Sequence, residues 1–431
     1  MVLQLATFKV DVTCPIGHPL TAGFRSPAVA LADRLQAIGV VLFGDCKPIV
    51  LCAVDWLGIC NRSHTTWRRA LADAAGTVAD RVAVQTTHPH CTPWPDDEAQ
   101  RLVSEHDDVR DVMEPEFCHD AMKRVADAVR DATARPKPFT HIGLGRAKVD
   151  RVASNRRLMG DDGKVKAVRW TQTKDPEIRA APEGLIDPYL KSISFWNGDT
   201  KLAAAHYYAV HNTSYDDDQT ITCDFLGLAR ERRAVEEPGV THVFFNECAG
   251  NITAGKYNNG ARENRQVLTD RVHAGMVAAE AAAERVSIDH IGWRVEPVLL
   301  QPGFEMNEVA LVTTLGDPGA APKDRTMAAL KLAMLRRLDV PFEFSCLAFG
   351  DAALILHLPG ESFIEYQLFA QARSRADWVA VPSYGDLGPI YICMDGSYAE
   401  GGYEPIDSLV GPGVEDTMKG AIEKLVAGQR T

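Results

Sequence analysis

Apolar and polar positions follow two periods that alternate from end to end of this chain. Apolar runs of strand length occupy 48–56 and 240–245, and an alternating run at 81–85 stops just short of His88. A helical period starts near 63, where Ser63 can cap it, and runs to about 79. A longer helix is predicted over 109–133, with Val112, Met113, Phe117, Met122, Val125 and Val129 on one face and Pro136 just beyond its end. The runs 190–196 and 201–210 flank Asn197-Gly198-Asp199 and predict a hairpin. Further helices are expected at 220–236, 261–286, 323–338, 361–376 and 414–426, and strands at 343–349, 352–358, 378–381 and 390–393. This order predicts an α/β or α+β protein with mixed β-sheets flanked by helices. No repeat is present and no Pro/Gly/Ser linker divides the chain. The polar stretch 160–166 reads as a surface loop or hairpin, so one large domain over 1–431 is expected.

Composition narrows the classes. The 431 residues are 46% hydrophobic, enough for a large core, and the net charge is −12. An acidic balance argues against nucleic-acid binding and against adsorption to anionic membranes. No apolar stretch reaches the roughly 20 residues of a membrane span, and the start lacks the basic-then-apolar pattern of a signal peptide. The ten cysteines are sparse, show no C-x-x-C spacing, and several lie in apolar runs such as Leu51-Cys52-Ala53-Val54. Reduced thiols and a cytoplasmic location are the expectation.

Common catalytic signatures are missing: no H-E-x-x-H, no P-loop and no G-x-S-x-G elbow. Gly143-Leu144-Gly145 starts a dinucleotide fingerprint that Lys148 breaks. Four other segments carry candidate chemistry. His88-Pro89-His90 leaves a predicted strand with two imidazoles on one side, so one could bind a metal while the other faces a substrate. Such a pair also occurs among ordinary polar loop histidines. His211 closes an apolar strand, a good position for a metal ligand and equally for a hydrogen-bonded structural histidine. Glu361 follows Pro359-Gly360 and opens a predicted helix, where the dipole alone would favour a carboxylate. Tyr391 and Tyr403 lie twelve positions apart and would not attract notice by themselves.

Together and in this order, the segments resemble the catalytic domain of the neutral/alkaline (non-lysosomal) ceramidases, zinc amidases that cleave the N-acyl bond of ceramide. The family's H-T-H-S-G-P resembles His88-Pro89-His90-Cys91-Thr92-Pro93, and its F-A-V-H-x-T-S-M resembles Tyr208-Ala209-Val210-His211-Asn212-Thr213-Ser214-Tyr215. Its S-G-D-N-x-G resembles Thr222-Cys223-Asp224-Phe225-Leu226-Gly227, and its P-G-E is Pro359-Gly360-Glu361. Its two tyrosines keep their spacing at Tyr391 and Tyr403-Glu404, although Gly402 replaces the arginine of its R-Y-E. The resemblance covers about residues 9–415. It implies zinc held by His88, His211, Glu361 and Tyr391, with His90, Arg156 and Tyr403 around the scissile carbonyl.

One departure touches the chemistry. The family's G-D-V-S-P-N becomes Gly250-Asn251-Ile252-Thr253-Ala254-Gly255, so Asn251 stands where an aspartate is a candidate base. Thr253 retains a hydroxyl, and Glu247 is the nearest carboxylate in sequence, either as a replacement base or as a structural group. The family's C-terminal immunoglobulin-like domain has no counterpart in 1–431. The first reading is therefore a zinc-dependent hydrolase of an amide bond in a small N-acyl substrate other than ceramide. The second is a zinc ester or lactone hydrolase, or a metal-dependent lyase or isomerase on a polar, sugar-like substrate. The third is a non-catalytic, metal-stabilised protein. None requires nucleic acid or stable membrane insertion. Asp55, after the strand that ends near 54, could support a ligating histidine or cap a turn.

Overall fold

Residues 36–43 and 49–54 contain almost no polar side chains, and in the computed structural model they form the middle of a sheet covered on both faces. The structure describes residues 2–215, 218–303 and 307–427. The first sheet runs, edge to edge, Val82–Thr86, Ile49–Val54, Gln36–Phe43, Gln4–Asp11 and Lys137–Pro138. Its pairings are antiparallel except that of Ile49–Val54 with Val82–Thr86. A second five-stranded sheet runs Thr241–Asn246, Thr200–Tyr208, Tyr189–Asn197, His141–Lys148 and Glu284–Ser287. A third runs Gly292–Val298, Phe342–Phe349, Ala353–His357 and Trp378–Ala380. Each of these also contains one parallel pair.

The two faces of a strand serve different cores. Ile38, Val40 and Leu42 pack with Ile193, Phe195, Val243, Leu347 and Ile355 in a core shared by all three sheets. Ala37 and Val41 point the other way, to Trp67, Leu71, Val125 and Val129 of the helices Asn61–Ala75 and Pro115–Thr133. The outer faces of the second and third sheets are covered by Asp224–Glu236, Asn264–Ala281, Ile364–Arg373 and Val414–Val426, and Pro322–Leu335 packs in the same core against Asp97–Val103 and Glu308–Gly316. Burial on both faces explains why the central strands read as unbroken apolar runs. The mixed α/β class is as expected, and so are the hairpin Tyr189–Asn197/Thr200–Tyr208 and the turn at 160–166.

Several boundaries differ. The helix expected from 220 begins at Asp224, after a two-residue strand Thr220–Ile221 that pairs with Ala30–Leu31. The helix expected from 109 begins at Pro115, whose fixed φ suits a first helical position. Glu361 does not open a helix: Glu361–Ser362 is a short strand parallel to Tyr391–Ile392, and the helix starts at Ile364. All ten cysteines are free thiols, and only Cys46 is exposed. Among the described residues no helix is long and apolar enough to cross a membrane.

Candidate metal centre

The parallel pair in each of the three large sheets delivers a side chain of interest just beyond the C-terminal end of one of its strands. Val82–Thr86 is followed by His88 and His90, Thr200–Tyr208 by His211, and Ala353–His357 by Glu361. The backbone of His88 sits at φ +65°, a conformation L residues adopt only when neighbours enforce it. Here Thr87 N–H bonds the Val54 carbonyl, His88 N–H bonds that of Trp56, and the Thr87 hydroxyl bonds Asp55 at 2.9 Å. Asp55 is itself held by both terminal nitrogens of Arg230, at 2.8 and 2.9 Å. It therefore braces the residue before His88 through Thr87. Asp224 plays a similar part behind His211, accepting from the backbone and hydroxyl of Ser214.

The imidazole orientations are decided by carbonyls. His88 Nδ1 lies 2.7 Å from the Leu57 carbonyl and His211 Nδ1 3.2 Å from that of Ala249. A carbonyl can only accept, so each Nδ1 is the donor, and a neutral imidazole held this way presents its lone pair at Nε2. The two Nε2 atoms converge on one oxygen: Glu361 Oε2 is 3.4 Å from His88 Nε2 and 3.5 Å from His211 Nε2. His90 completes a trio whose ring nitrogens lie within 4.8 Å of one another. Burial, then the charge of Arg156 and the neighbouring imidazoles, pushes His211 well below its usual range and keeps it neutral.

Tyr391 pairs with Glu361 in the short parallel ribbon, and its hydroxyl is 3.2 Å from that of Tyr403. Burial and then the Glu361 carboxylate hold the Tyr391 phenol well above its usual range. Arg156 follows the strand Ser154–Asn155, which pairs with Ile252–Thr253, and its guanidinium lies 5.6 Å from the centre of the Tyr403 ring. The structure thus brings His88, His90, His211, Glu361, Tyr391, Tyr403 and Arg156 into one neighbourhood.

Buried polar atoms there that lack a hydrogen-bond partner include Glu361 Oε2, Arg156 Nε and the Tyr384 hydroxyl. An orphaned buried carboxylate oxygen facing two imidazole Nε2 atoms is expensive unless a cation or a donor joins it. Ligands about 2.0–2.1 Å from a tetrahedral zinc stand roughly 3.3 Å apart, close to the two Nε2–Oε2 separations found here. The donor set therefore fits a metal ion. A second group, His206, His242 and Glu280, fits less well. There the two imidazoles bond each other at 3.0 Å, and Glu280 is paired with Lys201 and Arg233.

Glu247 lies elsewhere. It is fully buried, with Oε2 accepting from Lys191 at 2.8 Å and Gln367 at 3.2 Å, and Oε1 accepting from Val381 N–H at 2.8 Å. Its carboxylate is committed to a structural ion pair, which corrects the expectation of a catalytic part. Thr253 shares a ribbon with the segment before Arg156, but its hydroxyl donates to Thr171 Oγ1 at 3.2 Å and accepts from Gly255 N–H. Two residues at the site carried no signal in the sequence. Tyr384 lies across the His88 ring at 4.4 Å and has φ +62°. Trp170 is 54% exposed and stacks on Tyr403 at 4.7 Å.

No family model matches this sequence, and no curated protein matches it. Solved structures that match in fold include two ceramidases. A neutral ceramidase from Pseudomonas aeruginosa superposes with a TM-score of 0.73 at 17% identity, covering 99% of this chain and 74% of that one. A ceramidase complexed with C2 superposes with a TM-score of 0.72 at 16% identity, covering 99% and 75%. The chain has a neutral ceramidase-like fold.

Proposed function

We propose that this chain is a zinc-dependent hydrolase that cleaves the amide bond of an N-acyl compound. The observation that carries the reading is the convergence of His88 Nε2 and His211 Nε2 on a Glu361 oxygen that has no hydrogen-bond partner, beside Arg156 and the Tyr391–Tyr403 pair. His88, His211 and Glu361 would hold the ion, with Tyr391 completing the set. Zinc bound there would lower the pKa of a water toward about 7 and polarise the amide carbonyl.

The remaining side chains supply the rest. Arg156 and Tyr403 are donors for the oxygen that gains charge when water adds to the carbonyl, each worth about 2.7–4 kcal/mol if preorganised. His90 sits beside both ligand histidines, its ring 5.1 Å from each. It takes a proton from the attacking water at an imidazole nitrogen and returns it to the departing amine nitrogen. The C–N bond breaks, and a carboxylic acid and an amine leave. Asn251 cannot take that proton, and Glu247 is spent on Lys191. The half-exposed Trp170 forms a wall beside Tyr403 for a flat or apolar part of the substrate.

The test is turnover of a panel of N-acyl amides, esters and lactones by wild type and Tyr403→Phe. We expect amide cleavage, reduced about 10²–10³-fold in the variant, with bound metal unchanged. Cleavage of esters or lactones without amides would overturn the reaction class. Loss of metal in Tyr403→Phe would overturn the role given to that tyrosine.

A further inference from the structure

We infer that Arg157 is the positioning residue for Tyr403; this rests on the reading that the Tyr403 phenol serves the reaction. Tyr403 follows two glycines, Gly401 at φ +82° and Gly402 at φ +97°. Glycine suits this backbone and adds little stiffness to the turn. The elements either side are short: the helix Asp395–Glu400 ends before it and Glu404–Asp407 begins after it. Locally the Tyr403 carbonyl accepts from Ile406 and Asp407 N–H, each at 3.0 Å, so the short helix after it is anchored while the two glycines leave the approach to it free to pivot.

Arg157 supplies the constraint from a distant part of the chain. Its Nη2 is 3.0 Å from Glu400 Oε2 and its Nη1 is 3.0 Å from Glu404 Oε2. One planar guanidinium thus brackets the turn that carries Tyr403, with a buried ion pair on its far side. A Cβ built on Gly402 would meet Arg157 Nη1 at 2.7 Å and Glu404 Oε2 at 2.9 Å. The guanidinium occupies the room a side chain at 402 would need. The same guanidinium lies 5.7 Å from the Phe363 ring, two residues after Glu361, which ties the turn to the segment that presents the candidate ligand. The neighbouring Arg156 faces the Tyr403 ring, so of two consecutive arginines one meets the ring face and the other the glutamates on either side of the turn. Lysine would not replace Arg157, because an ammonium lacks the planar fork that reaches two carboxylates at once.

The test uses the full chain and a double-mutant cycle. Arg157→Gln should lower kcat about 10- to 100-fold, the scale of a roughly 1 Å misplacement, with KM and metal content nearly unchanged. Arg157→Lys should recover only part of the loss. In a Tyr403→Phe background, Arg157→Gln should cost less than about threefold more, since both changes remove the same contribution. Equal losses in both backgrounds would overturn the inference, as would full activity in Arg157→Gln. If that variant does not fold, Glu400→Gln breaks one of the two pairs at a partly exposed position and takes its place in the cycle. A second readout needs no turnover and so separates this inference from the amidase reading. Release of the turn should change Trp170 emission, because Trp170 stacks on Tyr403. The emission difference between wild type and Arg157→Gln should vanish when both carry Trp170→Phe. No difference in the first place would also overturn the inference.

Discussion

Asn251 uses both ends of its amide: Oδ1 accepts from Ile364 N–H and Nδ2 donates to Glu365 Oε2, each at 2.9 Å. The amide thus meets the helix Ile364–Arg373 at its first residue and pairs with a carboxyl that burial already pushes above its usual range. An aspartate here would set two carboxylates 2.9 Å apart, and they would share a proton. Asn251→Asp should therefore leave stability near the wild-type value at pH 5. At pH 8, where the pair must ionise, it should lower stability by about 1–3 kcal/mol. The sign follows from the raised folded-state pKa: the folded chain holds a proton that the unfolded chain releases, so stability falls as pH rises. Thermal unfolding at the two pH values checks this, and an equal loss at both would contradict it. At this scale the residue types of the site were legible in the sequence, because histidine spacing and the P-G-E turn are local. The partner of Asn251 was not, because Glu365 lies 114 positions away. Nor did proximity in sequence identify Glu247's partner, Lys191, 56 positions away.

Elements of several turns were legible and short ones were not. The hairpin and the two apolar strands announced themselves through local periodicity. The ribbon Glu361–Ser362/Tyr391–Ile392 is only two residues wide, and its pairing comes from the fold rather than from propensity. Glu361 therefore read as a helix opener when it is a strand residue. The strands Gln4–Asp11, Gln36–Phe43 and His141–Lys148 were not among those expected; in the first and last, one face is partly exposed and the pattern is mixed. One short helix makes a sharp prediction. Asp96 caps Asp97–Val103, Oδ1 accepting from Glu98 and Ala99 N–H at 3.1 Å, while Asn61 donates to Oδ2 at 2.6 Å. Burial pushes this carboxyl up to about 7 from 3.8. The folded chain then holds a proton between about pH 4 and 7 that the unfolded chain lacks, so this group's contribution to stability falls as pH rises through that window. The slope is at most about 1.4 kcal/mol per pH unit. Asp96→Asn keeps a capping side chain and should flatten the profile of urea midpoint against pH. A profile parallel to wild type would contradict the assignment.

The whole molecule converts three sheets into one site. Each sheet contributes a parallel pair, and the loops beyond those strand ends bring positions 88, 211 and 361 together. The supports come from farther still, such as the buried Asp55–Arg230 pair behind Thr87. Fold class was legible because the alternation of strand and helix extends along the chain. Site assembly was legible only through the ordered resemblance of short motifs, since no local pattern specifies contacts across hundreds of residues. The fold neighbours agree with the fold that the resemblance implies, while the proposed chemistry rests on the convergence of His88 and His211 on Glu361. The measurement that tests this most directly is elemental analysis of the purified full chain beside His211→Ala. About one zinc per chain in wild type, lost in the variant, is the result the account predicts. Absence of metal from both proteins, with no uptake when zinc is added, would contradict it.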